Sequence, residues 1–135
     1  MLRIIIASAS TGLLLTLGSV APVAGAAYVD WGSTSANDQV LKPGCRSYHY
    51  RFEIDPPSDN WAAEIFLIGP NRARVSSAAL IAASDPSPGK GVFRLCRASL
   101  VAGTYKMRMK ITYKDGYEKF DGFVKPSYFR LTRRR

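Results

Sequence analysis

From residue 45 to 54 the chain reads Cys-Arg-Ser-Tyr-His-Tyr-Arg-Phe-Glu-Ile, with Arg46, Tyr48, Tyr50, Phe52 and Ile54 on alternate positions and Cys45, Ser47, His49, Arg51 and Glu53 between them. A repeat of two sends successive side chains to opposite sides of an extended backbone, so this segment predicts a half-buried strand. The same repeat governs residues 104–114, where Tyr105, Met107, Met109, Ile111 and Tyr113 alternate with Lys106, Arg108, Lys110 and Thr112. The first set is expected to face a core and the second to face outward. Residues 61–69 form an apolar run with the bulk of a central strand, and 91–98 predict another. Shorter strands are expected near 28–31 and 39–41. The alanine-rich stretch 72–83 is compatible with a helix. Val75, Ser76 and Ser77 at its start, with strands on both sides, favour a strand over 72–81.

Pro, Gly and Asx residues at 55–60, 70–72 and 85–91 punctuate these runs, because they end ladders and set turns. Asp115-Gly116 is read as the central pair of a type I′ hairpin turn. That register would pair Ile111 with Phe120, Met107 with Val124 and Lys110 with Asp121, at the expense of setting Lys106 against Lys125. The last expected strand is 117–125. The sum is an all-β chain of about seven or eight antiparallel strands, the pattern of a sandwich.

The N-terminus carries different information. Met1-Leu2-Arg3 precedes a mostly apolar stretch to Val20, and Ala24 and Ala26 follow at small-residue spacing. These are the three parts of a cleavable export leader with a signal helix, read over residues 1–26. An uncleaved anchor is the rival reading, since the apolar stretch approaches the roughly 20 residues that span a bilayer. Interruptions at Ser8, Ser10, Thr11 and Gly12 favour cleavage. The expected organisation is a leader at 1–26, one domain at 27–128 and a basic tail at 129–135, in a secreted, extracellular protein without a transmembrane segment in the mature chain. Cys45 and Cys96 are the two cysteines of the sequence, and an even pair in an exported chain predicts a disulfide.

Trp61 follows Cys45 by 16 residues, and Ala102-Gly103-Thr104-Tyr105 has a Gly-x-Tyr core. The spacing and the motif resemble those of immunoglobulin-like domains, in the manner of many bacterial exported sandwiches. The resemblance implies that Tyr105 is a corner tyrosine whose hydroxyl bonds back to nearby backbone. It departs from the family pattern where the second cysteine should follow that tyrosine by two residues, since Met107 stands there. Cys96 lies on the preceding strand, so a bridge to Cys45 would join another strand pair. Sandwiches of this kind host many unrelated functions.

The formal net charge is +9. Residues 27–93 hold six Lys/Arg against seven Asp/Glu, whereas residues 94–135 hold twelve against three. Arg94, Lys106, Arg108, Lys110, Lys114, Lys119 and Lys125 are therefore read as an anion-binding surface, with Arg130 and Arg133 to Arg135 in the tail. The partner classes are anionic polymers and cell-envelope components, then a protein partner, with nucleic acid not favoured. Tyr117 and Phe123 are placed to stack on sugars or bases. Two plainer readings stay open: lysines on a solvent face keep a β-protein soluble, and the sandwich edges assemble with another envelope protein.

Catalytic chemistry finds little to work with. His49 is the sole histidine, no Gly-x-Ser-x-Gly elbow occurs, and no metal-ligand spacing is present. Asp55, Asp59 and Asn60 share a loop that reads as an Asx-rich turn rather than a calcium loop. The expectation is a non-enzymatic module without cofactor or metal.

Overall fold

The computed structural model describes residues 27–134; the leader read at 1–26 lies outside the described residues. Nine strands follow one another: β1 (Gly32–Ser35), β2 (Gln39–Leu41), β3 (Cys45–Ile54), β4 (Trp61–Ile68), β5 (Arg74–Ile81), β6 (Gly89–Cys96), β7 (Gly103–Asp115), β8 (Glu118–Phe123) and β9 (Ser127–Arg133), with one 3-10 turn at Arg97–Ser99. They form two sheets. The smaller has the order β1-β3-β6, and the larger has β2-β9-β7-β4-β5 with β8 added on β7. All pairings between these strands are antiparallel except β2 with β9.

The two inner faces are the apolar halves of the alternating strands. Tyr48, Tyr50, Phe52 and Ile54 of β3 and Phe93 and Leu95 of β6 are buried against Ile65, Leu67, Tyr105, Met107, Met109 and Ile111 from the larger sheet. Each fully buried side chain of this size contributes on the order of 1.5–3 kcal/mol. Tyr50 stacks on Phe93 with ring centroids 4.5 Å apart. Its cross-strand partner is Gly91, and that of Phe52 is Gly89. The rings fold over the two glycines so closely that a Cβ there would collide with them. Between the sheets, the hydroxyls of Thr34 on β1 and Ser127 on β9 share a 2.6 Å hydrogen bond.

Several expectations hold. The strand at 45–54 has those bounds, residues 74–81 are a strand rather than a helix, and the five apolar residues of β7 are buried. Cys45 and Cys96 form a disulfide, and they are direct cross-strand partners within the smaller sheet. The Tyr105 hydroxyl donates to the carbonyl of Val101 at 2.7 Å, pinning the start of β7 to the turn before it.

Other expectations are corrected. The first strand is at Gly32–Ser35, not 28–31; Val29 makes only an isolated bridge to Val124. The hairpin register is displaced by two: Asp115 pairs with Glu118, Thr112 with Asp121 and Tyr113 with Phe120. The turn residues are Gly116 and Tyr117, and the positive φ of Gly116 (61°) puts glycine at the first central position, as in a type II′ turn. Sliding by two keeps every side chain on its face, so the alternation could not distinguish the two registers. The observed one stacks Phe120 on Tyr113 at 5.0 Å and removes the clash between Lys106 and Lys125.

The segment expected as a basic tail from 129 is most of β9. Lys110 faces Phe123 in β8, while Met107 faces Ser127 in β9, so three steps along β7 match four on the other strand. One residue is therefore extra near Lys125-Pro126, which is a β-bulge at a residue that lacks an N–H donor. The bulge reverses which parity points inward and buries Phe129 and Leu131.

Candidate functional site

The outer face of the larger sheet gathers the charged halves of its strands. Because Tyr105, Met107, Met109 and Ile111 are fully buried, Lys106, Arg108 and Lys110 point away from the core. The same logic turns Glu64, Phe66 and Ile68 outward on β4, Lys119, Asp121 and Phe123 on β8, and Tyr128 and Arg130 on β9. Register then sets the neighbours. Arg108 faces Phe66, Lys110 lies between Glu64 and Phe123, and Lys106 lies between Ile68 and Tyr128.

One row crosses four strands. The Arg74 guanidinium at the start of β5 sits 5.1 Å from the centroid of Phe66, and that of Arg108 sits 4.6 Å from the centroid of Phe123. Cation and ring thus alternate from β5 to β8. Such contacts contribute about 0.5–1 kcal/mol each at exposed sites. Their second effect is to hold each guanidinium over a fixed platform, which lowers the entropy lost when it later meets an anion.

The carboxylates within this face are Glu64 and Asp121, and Asp38 lies at its β2 edge, where it accepts a 2.7 Å hydrogen bond from the Arg130 N–H. The Thr112 hydroxyl donates to Asp121 at 2.5 Å. That bond is the main reason the Asp121 carboxyl is held below its ordinary value; Lys119 and Lys110 act in the same direction. Lys114 and Lys119 are direct cross-strand partners near the hairpin tip, an unfavourable like-charge pairing that the turn imposes.

The structure thus brings together Lys106, Arg108, Lys110, Lys114 and Lys119. It does not bring Arg94 to them: Arg94 lies on β6, opposite Ser47, on the outer face of the smaller sheet. Lys125 is exposed at the bulge between β8 and β9. Arg74, Phe66 and Arg130 complete the face and were not assigned to it from the sequence. Phe66 sits inside a mostly apolar run, and the one sequence signal of its phase was Glu64, two positions earlier on the same outward side. Arg130 belonged to a supposed tail. Tyr117 stands fully exposed at the hairpin tip, while Phe123 already carries Arg108.

His49 is exposed on the outer face of β3 opposite Val92. The loop with Asp55, Asp59 and Asn60 is tied down by backbone: Asp55 N–H donates to Trp31 O at 2.7 Å, and Lys114 N–H to Asn60 O at 2.9 Å. Among the described residues, no three His, Cys, Asp or Glu side chains gather as metal ligands. No helix among them is long and apolar enough to cross a membrane. The sequence matches no protein-family model and no curated protein.

Proposed function

We propose that this protein is an exported, non-enzymatic binding module that uses the outer face of its larger sheet to hold anionic polymer at a cell envelope or surface. The observation that carries this reading is the row Arg74-Phe66-Arg108-Phe123, flanked by Lys106, Lys110 and Arg130. A face built only for solubility has no need of guanidinium groups docked on rings. Polyanions suit it because the cations lie along a continuous sheet rather than in a single pocket, and a linear charge density matches that layout.

The immunoglobulin-like assignment belongs to the same reading. The order β9-β7-β4-β5 corresponds to the sheet that variable-type domains extend beyond their third strand, and β1-β3-β6 to the opposing sheet. The bond from Tyr105 to Val101 corresponds to the corner tyrosine. The disulfide, at β3 and β6, departs from the inter-sheet bridge of that family. Export is supported by the leader pattern at 1–26 and by a disulfide that suits an oxidising compartment.

Retention of the purified protein on immobilised wall phosphate polymer, acidic polysaccharide and DNA across a salt gradient tests the proposal. Replacing Lys106, Arg108 and Lys110 together by serine should lower the dependence of log affinity on log salt by about two to three for duplex DNA, and comparably for other dense polyanions. Equal retention of both proteins at every salt concentration would refute it. A second reading, assembly through a sheet edge, draws on β5, which has β4 as its hydrogen-bonded neighbour and a row of small side chains from Ser76 to Ala79. Self-association that survives the triple replacement would favour that alternative.

A further inference from the structure

At the end of the sandwich marked by the disulfide, the strands leave a cleft of about 520 Å³ between β2 and the smaller sheet. Lys42, Arg46, Arg97 and Arg134 line it, with Val40 and Pro43 among its apolar walls and no carboxylate. An adjoining pocket shares Lys42, Arg46 and Arg134 and also has no acidic residue in its wall. This cleft is separate from the cation row on the sheet face, since none of Arg74, Lys106, Arg108 or Lys110 contributes to it.

Four like charges around one cleft repel, so something must hold them there. The chain fixes three of the four, through the disulfide and through hydrogen bonds. Arg46 follows Cys45 and Arg97 follows Cys96, so the disulfide between these direct partners sets the two arginines at the same end of the sheet. The Arg97 N–H donates to Gly44 O at 3.0 Å, and Arg46 Nε donates to Pro43 O at 3.2 Å. The Lys42 N–H donates to the Tyr48 hydroxyl at 3.2 Å, anchoring the third cation where β2 ends. These constraints leave the arginines with unused N–H donors beside an apolar wall.

We propose that this cleft binds the phosphate of a phosphomonoester whose organic part rests on Val40 and Pro43. A phosphomonoester carries close to two negative charges at neutral pH, and its oxygens match the planar donor fork of arginine. A single carboxylate would leave most of the positive charge uncompensated. The cleft volume exceeds that of free phosphate and lies within the range of small-ligand sites, about 300–1,000 Å³.

The test is a titration of the oxidised protein with phenyl phosphate, inorganic phosphate and benzoate, followed by backbone amide NMR shifts. Phenyl phosphate should bind more tightly than either of the others and shift the amides of residues 40–42, 44–46 and 97. Replacing Arg46→Gln and Arg97→Gln together should weaken it by about tenfold or more, since each loses a charge-assisted hydrogen-bond donor to the phosphate. The triple serine replacement on β7 should leave it unchanged, which separates this site from the polymer-binding face. Benzoate binding as tightly as phenyl phosphate, shifts centred on β7 and β8, or an unaltered affinity in the folded Arg46→Gln, Arg97→Gln protein would each overturn the proposal.

Discussion

On the larger sheet the outward residues include Lys106, Arg108, Lys110, Phe66, Phe123 and Tyr128; on the smaller sheet they are Ser33, Ser35, Ser47, His49, Arg51, Glu53, Lys90, Val92 and Arg94. Both rows arise from the same alternation, and both contain cations. The larger sheet supplies rings beneath two of its guanidinium groups, whereas the smaller one exposes no aromatic side chain on its outer face. Its aromatic residues all point inward, where Tyr50 and Phe52 cover Gly91 and Gly89. The many cations of the larger sheet therefore form an ordered surface, while the fewer ones of the smaller sheet, Arg51, Lys90 and Arg94, stay scattered. What differs is the identity of the cross-strand neighbours.

The two sheets also differ in what holds them. The smaller has three strands and a covalent tie, and removing that tie should have the largest effect. Replacing Cys45 and Cys96 together by serine should reduce stability by up to about 4 kcal/mol, the chain-entropy estimate for a closed loop of 51 residues. Denaturant unfolding measures the loss, and hydrogen exchange should show β3 and β6 opening before β4 and β7. Next in size is Gly91→Ala. Its added Cβ would meet the buried Tyr50 ring, so a loss of about 1–3 kcal/mol is expected, again with exchange first appearing in the smaller sheet.

In the larger sheet, Tyr105→Phe removes one hydrogen bond and leaves the ring packed on Phe129, so about 1 kcal/mol should be lost in the same unfolding measurement. A loss well above that would mean the bond from Tyr105 to Val101 supports more than the start of β7. The smallest effect is expected at Asp121. Its folded-state pKa is lowered, first by the Thr112 hydroxyl and then by Lys119 and Lys110. The native state therefore favours the ionised form, and the resulting stability is present above the ordinary carboxylate pKa and lost as pH falls through the lowered folded value. Asp121→Asn should therefore lose a little stability near neutral pH and none once pH falls below the folded value, flattening the acid-side decline slightly, as followed by thermal unfolding across pH.

Much of this architecture is readable one strand at a time. Tyr48 to Ile54 and Tyr105 to Tyr113 announce both their conformation and their buried side, because a strand's period is two whatever lies beside it. The disulfide was legible because the sequence offers a single pair of cysteines, and the backbone bond of the Tyr105 hydroxyl was what the likeness to immunoglobulin-like domains implied. The hairpin register was not legible, since registers two residues apart present the same faces. β9 was hidden by the extra residue near Pro126, which shifts the phase of the alternation between Phe123 and Phe129.

The composition of the candidate face lay further out of reach. Alternation along β7 placed Lys106, Arg108 and Lys110 outward, and nothing in that segment indicated that Phe66 and Phe123 would flank Arg108. Arg94 shares their alternation and ends on the opposite side of the molecule. Along one chain, then, the residues determine which positions are extended, which sides are apolar and where the positive charge accumulates, because those properties depend on neighbours in sequence. Which strands lie side by side, and hence which cations meet rings, which meet serines and which converge beside the disulfide, depends on contacts between distant segments. Those contacts are selected by packing two apolar faces into one core, and local periodicity carries no information about them.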